Sequence, residues 1–201
     1  MMNLLRKLIS AIKPKPQVFV AKGCFSPWYS SEYWRDKYHV TNIDESIPCQ
    51  ATVTCKGVTD MSSMFNTCSK LTSIDLSNFD TSKVVDMSWM LDYCDKLTSI
   101  DLSNFDTSNV YTTYAMFSEC HSLTSLDLSS FDTSKVINMS YMFDSCPRLT
   151  TIKGVIDMKS CEYCGNMFTN CPKLTGVRIK NPPAGFEIHA CISKSQYTIV
   201  S

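Results

Sequence analysis

Leu71–Ser82 reads LTSIDLSNFDTS; the same twelve letters return at Leu97–Ser108 and, with two changes, at Leu123–Ser134 as LTSLDLSSFDTS. Working outward, the cysteines keep the same beat: Cys68, Cys94, Cys120 and Cys146 are each 26 residues apart, and Cys171 follows after 25. Self-similarity at such a period is the mark of stacked repeats, because a single unit cannot bury its own apolar face. The unit, V-x-D-M-S-x-M-F-x-x-C-x-x-L-T-S-I-D-L-S-x-F-D-T-S-x, starts at Val58, Val84, Val110 and Val136, with a degenerate fifth copy from Cys161.

Two periodicities alternate inside each unit. LTSIDLS suits a short strand, with Ile74 and Leu76 facing inward and Ser73, Asp75 and Ser77 outward. DMSSMFNTC places Met61, Met64, Phe65 and Cys68 at helical spacing and predicts a short helix. Its first position runs Asp60, Asp86, Thr112, Asn138, all able to accept a hydrogen bond from free amides at a helix start. FDTS is expected to turn the chain, with Asp80, Asp106 and Asp132 bonding to amides two residues on and Phe79, Phe105 and Phe131 filling the core beneath.

The run VTDMSSMFNTCSKLTSIDLSNFDTSK resembles the BspA-like leucine-rich repeats of bacterial surface proteins, mycoplasma lipoproteins and some phage structural proteins, over about residues 58–179. The resemblance implies an α/β fold: a right-handed leucine-rich-repeat-like solenoid of about five coils, each a short parallel strand plus a short helix, with N- and C-terminal caps. It also implies adhesion and recognition rather than catalysis. No lipobox cysteine or wall-sorting motif accompanies it, so the family's usual export route is not expected.

Four segments follow. Residues 1–16 predict an amphipathic helix, with Leu4, Leu5, Leu8, Ile9 and Ile12 on one side, ended by the KPKP linker. It would dock on a partner or membrane surface, or pack on its own domain. Arg6 and Lys7 interrupt its apolar run, so a standard secretory signal is not expected. Residues 17–57, with Trp28, Tyr29, Tyr33, Trp34 and Tyr38, predict an aromatic-rich cap over the first coil, an interaction site being the second reading. The solenoid occupies 58–179, and 180–201 predict C-terminal cap strands.

Composition narrows the function. An apolar share of 44% over 201 residues supports a core, and 19 basic against 19 acidic side chains with no basic block exclude the signature of a nucleic-acid binder. No apolar run reaches the ~18 residues of a membrane-spanning helix. Of the 11 cysteines, the five in register are expected as buried packing thiols. Cys161 and Cys164 have metal-knuckle or redox spacing, but they superimpose on Val136 and Met139, so the core reading is preferred over zinc. Cys24, Cys49, Cys55 and Cys191 lie in the flanks, where a Cys49–Cys55 bridge is an option, and cysteine usage does not specify a redox compartment. His39, His121 and His189 are scattered, and no nucleophile elbow, phosphate loop or metalloprotease motif occurs; neither a catalytic residue, a metal nor a cofactor is expected.

Two surfaces remain for a partner. One carries Asp75, Asp101 and Asp127, a carboxylate per coil, with Lys153 offering compensation at the next position. They are read first as solvated surface, then as ligand contacts, then as a calcium site. The other offers Trp89, Tyr93, Tyr111, Tyr114 and Tyr141, side chains enriched in binding hot spots. The expected role is a non-enzymatic recognition or structural module on a virion, as in phage attachment to a host, or on a bacterial cell surface as an adhesin. Its partner would be a protein or glycan there, or other virion subunits, and homo-oligomers are compatible with such a design.

Overall fold

The computed structural model describes residues 58–77 and 79–201, together with the backbone of three short N-terminal strands. Those strands are β1 (Val18–Phe19), β2 (Val40–Asn42) and β3 (Gln50–Thr52). Next come β4 (Ser73–Asp75), β5 (Ser125–Asp127), β6 (Thr151–Lys153), β7 (Ile156–Asp157), β8 (Val177–Lys180), the helix α1 (Phe186–Ala190) and β9 (Tyr197–Ile199). The expected N-terminal helix and the aromatic residues of the predicted N-terminal cap lie outside the described residues.

All the strand pairs are parallel: β1 with β2, β3 with β4, β5 with β6, and β7, β8 and β9 in one three-stranded sheet. Equivalent residues of successive units sit opposite one another, as Leu126 does Ile152. Stacking also starts before Val58, since Ala51 of β3 faces Ile74 of β4. Inward and outward residues alternate as the period of two requires: in β5 Leu126 is buried between exposed Ser125 and Asp127. Ser99–Asp101, identical in letters to β4, forms no strand. Its chain still follows the stack, with Ile100 packed against the core.

The predicted helix in each unit is not formed. Met61, Met64, Phe65 and Cys68 are all buried, as helical spacing requires, yet the backbone is a run of tandem turns. The amides of Met61, Ser63, Phe65 and Thr67 donate across to the carbonyls of Asp86, Ser88, Met90 and Asp92 in the next unit, at 2.7–2.8 Å. Those of Met64, Asn66 and Cys68 close local turns three residues back. A helix would consume every amide internally, whereas this backbone spends alternate amides on its neighbour. Parallel bridges Asp60–Asp86–Thr112–Asn138–Tyr163 carry the ladder through five units.

This path requires left-handed residues every fourth position: Trp89 and Tyr93, Ala115 and Glu119, Tyr141 and Ser145, Asn166 and Asn170, with φ between 50 and 60°. Each such non-glycine residue costs about 1–2 kcal/mol. In one unit the penalty falls twice, while Val84, Met87, Met90, Leu91, Cys94, Leu97, Leu102 and Phe105 become buried. A fully buried large apolar side chain contributes about 1.5–3 kcal/mol, so burial prevails.

Side-chain ladders reinforce the stack. Phe117, Phe143 and Phe168 lie with ring centroids 5.8 and 5.5 Å apart, and Phe79, Phe105 and Phe131 at 6.1 and 6.3 Å. The cysteine thiols of Cys94, Cys120, Cys146 and Cys171 donate to the carbonyls of Phe65, Leu91, Phe117 and Phe143. They are free, and burial drives the Cys120 thiol up to about 12. Asp80, Asp106 and Asp132 hold their turns as expected, accepting from Ser82, Ser108 and Ser134. Unforeseen is the threonine beside them: buried Thr81, Thr107 and Thr133 each donate to one main-chain carbonyl and accept from the amide of the same residue, Asp106, Asp132 and Asp157.

At the C-terminal end α1 stands in for the next turn run. Asn166 and Phe168 donate their amides to His189 and Ala190, Phe186 enters the core, and its ring meets Tyr197 of β9 edge-on at 5.4 Å. The predicted cap strands are therefore joined by a helix that the proline turn concealed. No helix among the described residues is long and apolar enough to cross a membrane.

Candidate functional site

The turn runs carry the site. Asp60, Asp86, Thr112 and Asn138 open them by accepting the amide two residues on, at 2.8–3.3 Å; the predicted capping chemistry survives although it starts turns. Beyond this anchor most side chains turn into the core, and in the second unit Trp89 and Tyr93 stand out into solvent.

On the outside, Trp89, Tyr114 and Tyr141 make one continuous aromatic row across three units. Ring centroids are 4.9 Å apart for Trp89–Tyr114 and 5.6 Å for Tyr114–Tyr141. Ala115 lies buried between Trp89 and Tyr141 in the repeat register, and its small side chain leaves this space to Tyr114. Trp89, Tyr93 and Tyr111 are exposed at 42, 46 and 50%, whereas Tyr114 and Tyr141 are half-buried by the row itself. A neighbouring column stacks Val85, Tyr111 and Ile137, all exposed and joined by amide–carbonyl bonds Tyr111 to Val85 and Ile137 to Tyr111. Tyr163 extends the apolar surface at 58% exposure. Sequence reasoning missed Val85, Ile137 and Tyr163. Their signal was present: they occupy register positions held by Thr59 and Glu162, or by Asp60, Asp86, Thr112 and Asn138, in other units.

Beneath the aromatic edge runs a polar column, Asn66, Asp92, Ser118 and Asp144. Asp92 is 8% exposed, and its Oδ1 has no hydrogen-bond partner among the described residues. Burial pushes its carboxyl up to about 7, opposed by the Ser118 hydroxyl and assisted by Glu119 and Asp144. Burial raises Asp144 as well. The Tyr93 phenol is held above its ordinary range by Glu119 first, then by burial and by Asp92, Asp144 and Asp95.

Asp75, Asp101 and Asp127 occupy a separate column at the strands. Each is exposed and accepts an amide two residues on, from Ser77, Ser103 and Ser129. The serine hydroxyls and these amides hold the three carboxyls below the usual range. Lys153 Nζ stands 3.6 Å from Asp127 Oδ2, the compensation expected there. Among the described residues no hydrogen bond, ion pair or ring contact joins this column to the aromatic row, so the candidate residues fall into two groups.

Among the described residues, every cysteine except the exposed Cys191 is absorbed by the stack. Cys161 and Cys164 are buried at the positions of Val136 and Met139; their thiols hydrogen-bond each other, which raises Cys161 and lowers Cys164 from the usual thiol range. No group of three metal-ligating side chains converges among the described residues. His121 is exposed, with Nδ1 2.7 Å from Asp95 Oδ1 of the previous unit and Nε2 3.1 Å from Glu119 Oε2. The arrangement thus offers a surface of aromatic faces bordered by carboxylates.

No curated protein and no solved structure matches the chain. One family does match, over residues 52–180, a span that takes in β4 through β8 and every residue of the aromatic row, and it is related to the BspA-like repeat proteins. Because that span is well over half of the 201 residues, the chain belongs to the family described as Mycoplasma protein of unknown function, DUF285.

Proposed function

We propose that this chain is a non-enzymatic recognition module: a right-handed solenoid of the leucine-rich-repeat kind that presents the Trp89–Tyr114–Tyr141 row and the Val85–Tyr111–Ile137 column to a partner on an exposed surface. The observation that carries the reading is where the large apolar side chains lie. Of the eight exposed ones among the described residues, six cluster here: Trp89 and Tyr93 sit on the turn runs, and Val85, Tyr111, Ile137 and Tyr163 at the positions that lead into them. Three aromatic residues, Trp89, Tyr93 and Tyr141, also stand at left-handed positions where the last unit has Asn166 and Asn170, residues that adopt this conformation at lower cost. Bulky side chains kept in a costly conformation, facing solvent, are what a binding surface requires and a purely structural coil does not.

The setting is a bacterial cell surface or a virion. The family's description as a Mycoplasma protein supports the cell-surface setting, with phage attachment as the alternative. The test is binding of the purified full chain to intact host cells and to assembled phage particles. Trp89→Ser combined with Tyr111→Ser should reduce binding at least tenfold while the circular dichroism spectrum and melting temperature stay close to wild type. Undiminished binding by this folded variant would remove the proposal.

A further inference from the structure

Resting on that reading, we infer that the partner presents a basic polypeptide segment, whose lysine or arginine side chains lie against the Trp89 and Tyr114 rings with their charges directed to Asp92 and Asp144. Three observations converge. First, aromatic faces in an open row are platforms for ammonium and guanidinium groups, whose attraction to the ring face grows as water is excluded. Second, this row is bordered by carboxylates without a cationic partner. Among the described residues, the ion pairs join His121 to Asp95 and Glu119, and Lys153 to Asp127, leaving Asp92 and Asp144 with none. Third, Asp92 is more than nine-tenths buried and, among the described residues, its Oδ1 lacks a hydrogen-bond donor, so its charge when ionised is uncompensated.

The same features choose among occupants. A neutral glycan would use the rings and gain nothing from the carboxylates. A polyanion would be repelled by Asp92, Glu119 and Asp144, whose charges already act on the Tyr93 phenol. Asp92 and Asp144 lie two units apart, about 10 Å at a stacking interval of ~4.8 Å. Cationic side chains three residues apart on a polyproline-II segment, which turns once every three residues and rises ~3.1 Å per residue, share one face and match that interval. Asp92 contributes charge only when ionised, so affinity should rise as pH passes through about 7. The groups facing it are the Ser118 hydroxyl, Glu119, Asp144, Tyr93, Tyr114 and the buried thiols of Cys94 and Cys120.

The test titrates the full chain with three probes, following tryptophan fluorescence and heat: a (Lys-Ala-Ala)4 peptide, its (Glu-Ala-Ala)4 counterpart and a neutral oligosaccharide. The lysine peptide should bind at least tenfold more tightly than the glutamate peptide and more tightly at pH 8 than at pH 6. Asp92→Asn with Asp144→Asn should reduce its affinity five- to tenfold and abolish the pH dependence, with the circular dichroism spectrum unchanged. Equal affinity for the two peptides, or indifference to the asparagine pair, would overturn the inference. If the oligosaccharide binds and only Trp89→Ser abolishes it, the basic partner is wrong and the recognition surface stands. If host-cell binding also survives Trp89→Ser with Tyr111→Ser, both fall.

Discussion

Thr107 shows how much one side chain can settle. Its hydroxyl donates to the Asp132 carbonyl at 3.0 Å and accepts the Asp132 amide at 2.8 Å, with 2% of the residue exposed. Thr107→Val keeps the shape but strands both groups away from water, and should lower stability by about 2–3 kcal/mol in urea unfolding. Thr107→Ser retains the hydroxyl and should recover most of the loss. Asp92 governs a different variable. Its carboxyl titrates near 7 folded against 3.8 as the ordinary value, so the folded state binds more protons between these limits. The stability that Asp92 contributes is therefore full below pH 3.8 and is lost as pH rises through about 7. The Asp75, Asp101 and Asp127 column acts oppositely: its contribution is present above the ordinary carboxylate range and fades as pH falls below it. Between pH 4 and 7, Asp92→Asn should flatten the decline in unfolding free energy, read from urea unfolding, by an amount on the order of 2 kcal/mol once solvent screening is allowed for.

At the scale of the element, Gly154 marks where one unit is a residue short. Thr107 reaches Asp132 across 25 residues, but Thr133 reaches Asp157 across 24. The chain absorbs the difference at Gly154, with φ 95° and a position where a Cβ would come within 2.7 Å of the Leu128 carbonyl carbon and oxygen. Gly154→Ala should destabilise by more than about 2 kcal/mol, measured by chemical denaturation, because neither the backbone angle nor the space admits a methyl group. Legibility in the sequence divides along similar lines. Buried positions could be read because the 26-residue repeat shows the same apolar set four times, and Met61, Met64, Phe65 and Cys68 are all inside. The backbone through them was not legible: a spacing of three and four describes which side chains face inward, and tandem turns satisfy it as well as a helix does. The deciding bonds run between units, out of reach of any local pattern. In the candidate site, Trp89, Tyr114 and Tyr141 could be named from composition, but their union into a row depends on Ala115 one unit away. Asp92 escaped notice because a lone aspartate in LDYC carries no mark of its burial.

Across the whole molecule, stability is held in contacts between neighbours, and one cluster of buried side chains runs from Val58 to Ile192. Such an array tolerates removal of a complete unit and not of a fraction. Deleting residues 97–122, 26 residues, should give a folded chain with a single unfolding transition and a smaller denaturant slope, since less surface is exposed on unfolding. Deleting residues 97–109 alone should abolish cooperative unfolding, because the phenylalanine, cysteine and threonine ladders would all meet the wrong partners.

The threonine hydroxyls, each bonded both ways to the following unit, therefore act as a gauge on inheritance as well as on folding. Near-identical coding stretches misalign readily when DNA is copied, and a slip that inserts or drops one complete period leaves every hydroxyl with its donor and acceptor. Length can then change in whole steps while the outward residues drift, so that a lineage acquires new reach and new surface chemistry without refounding its interior.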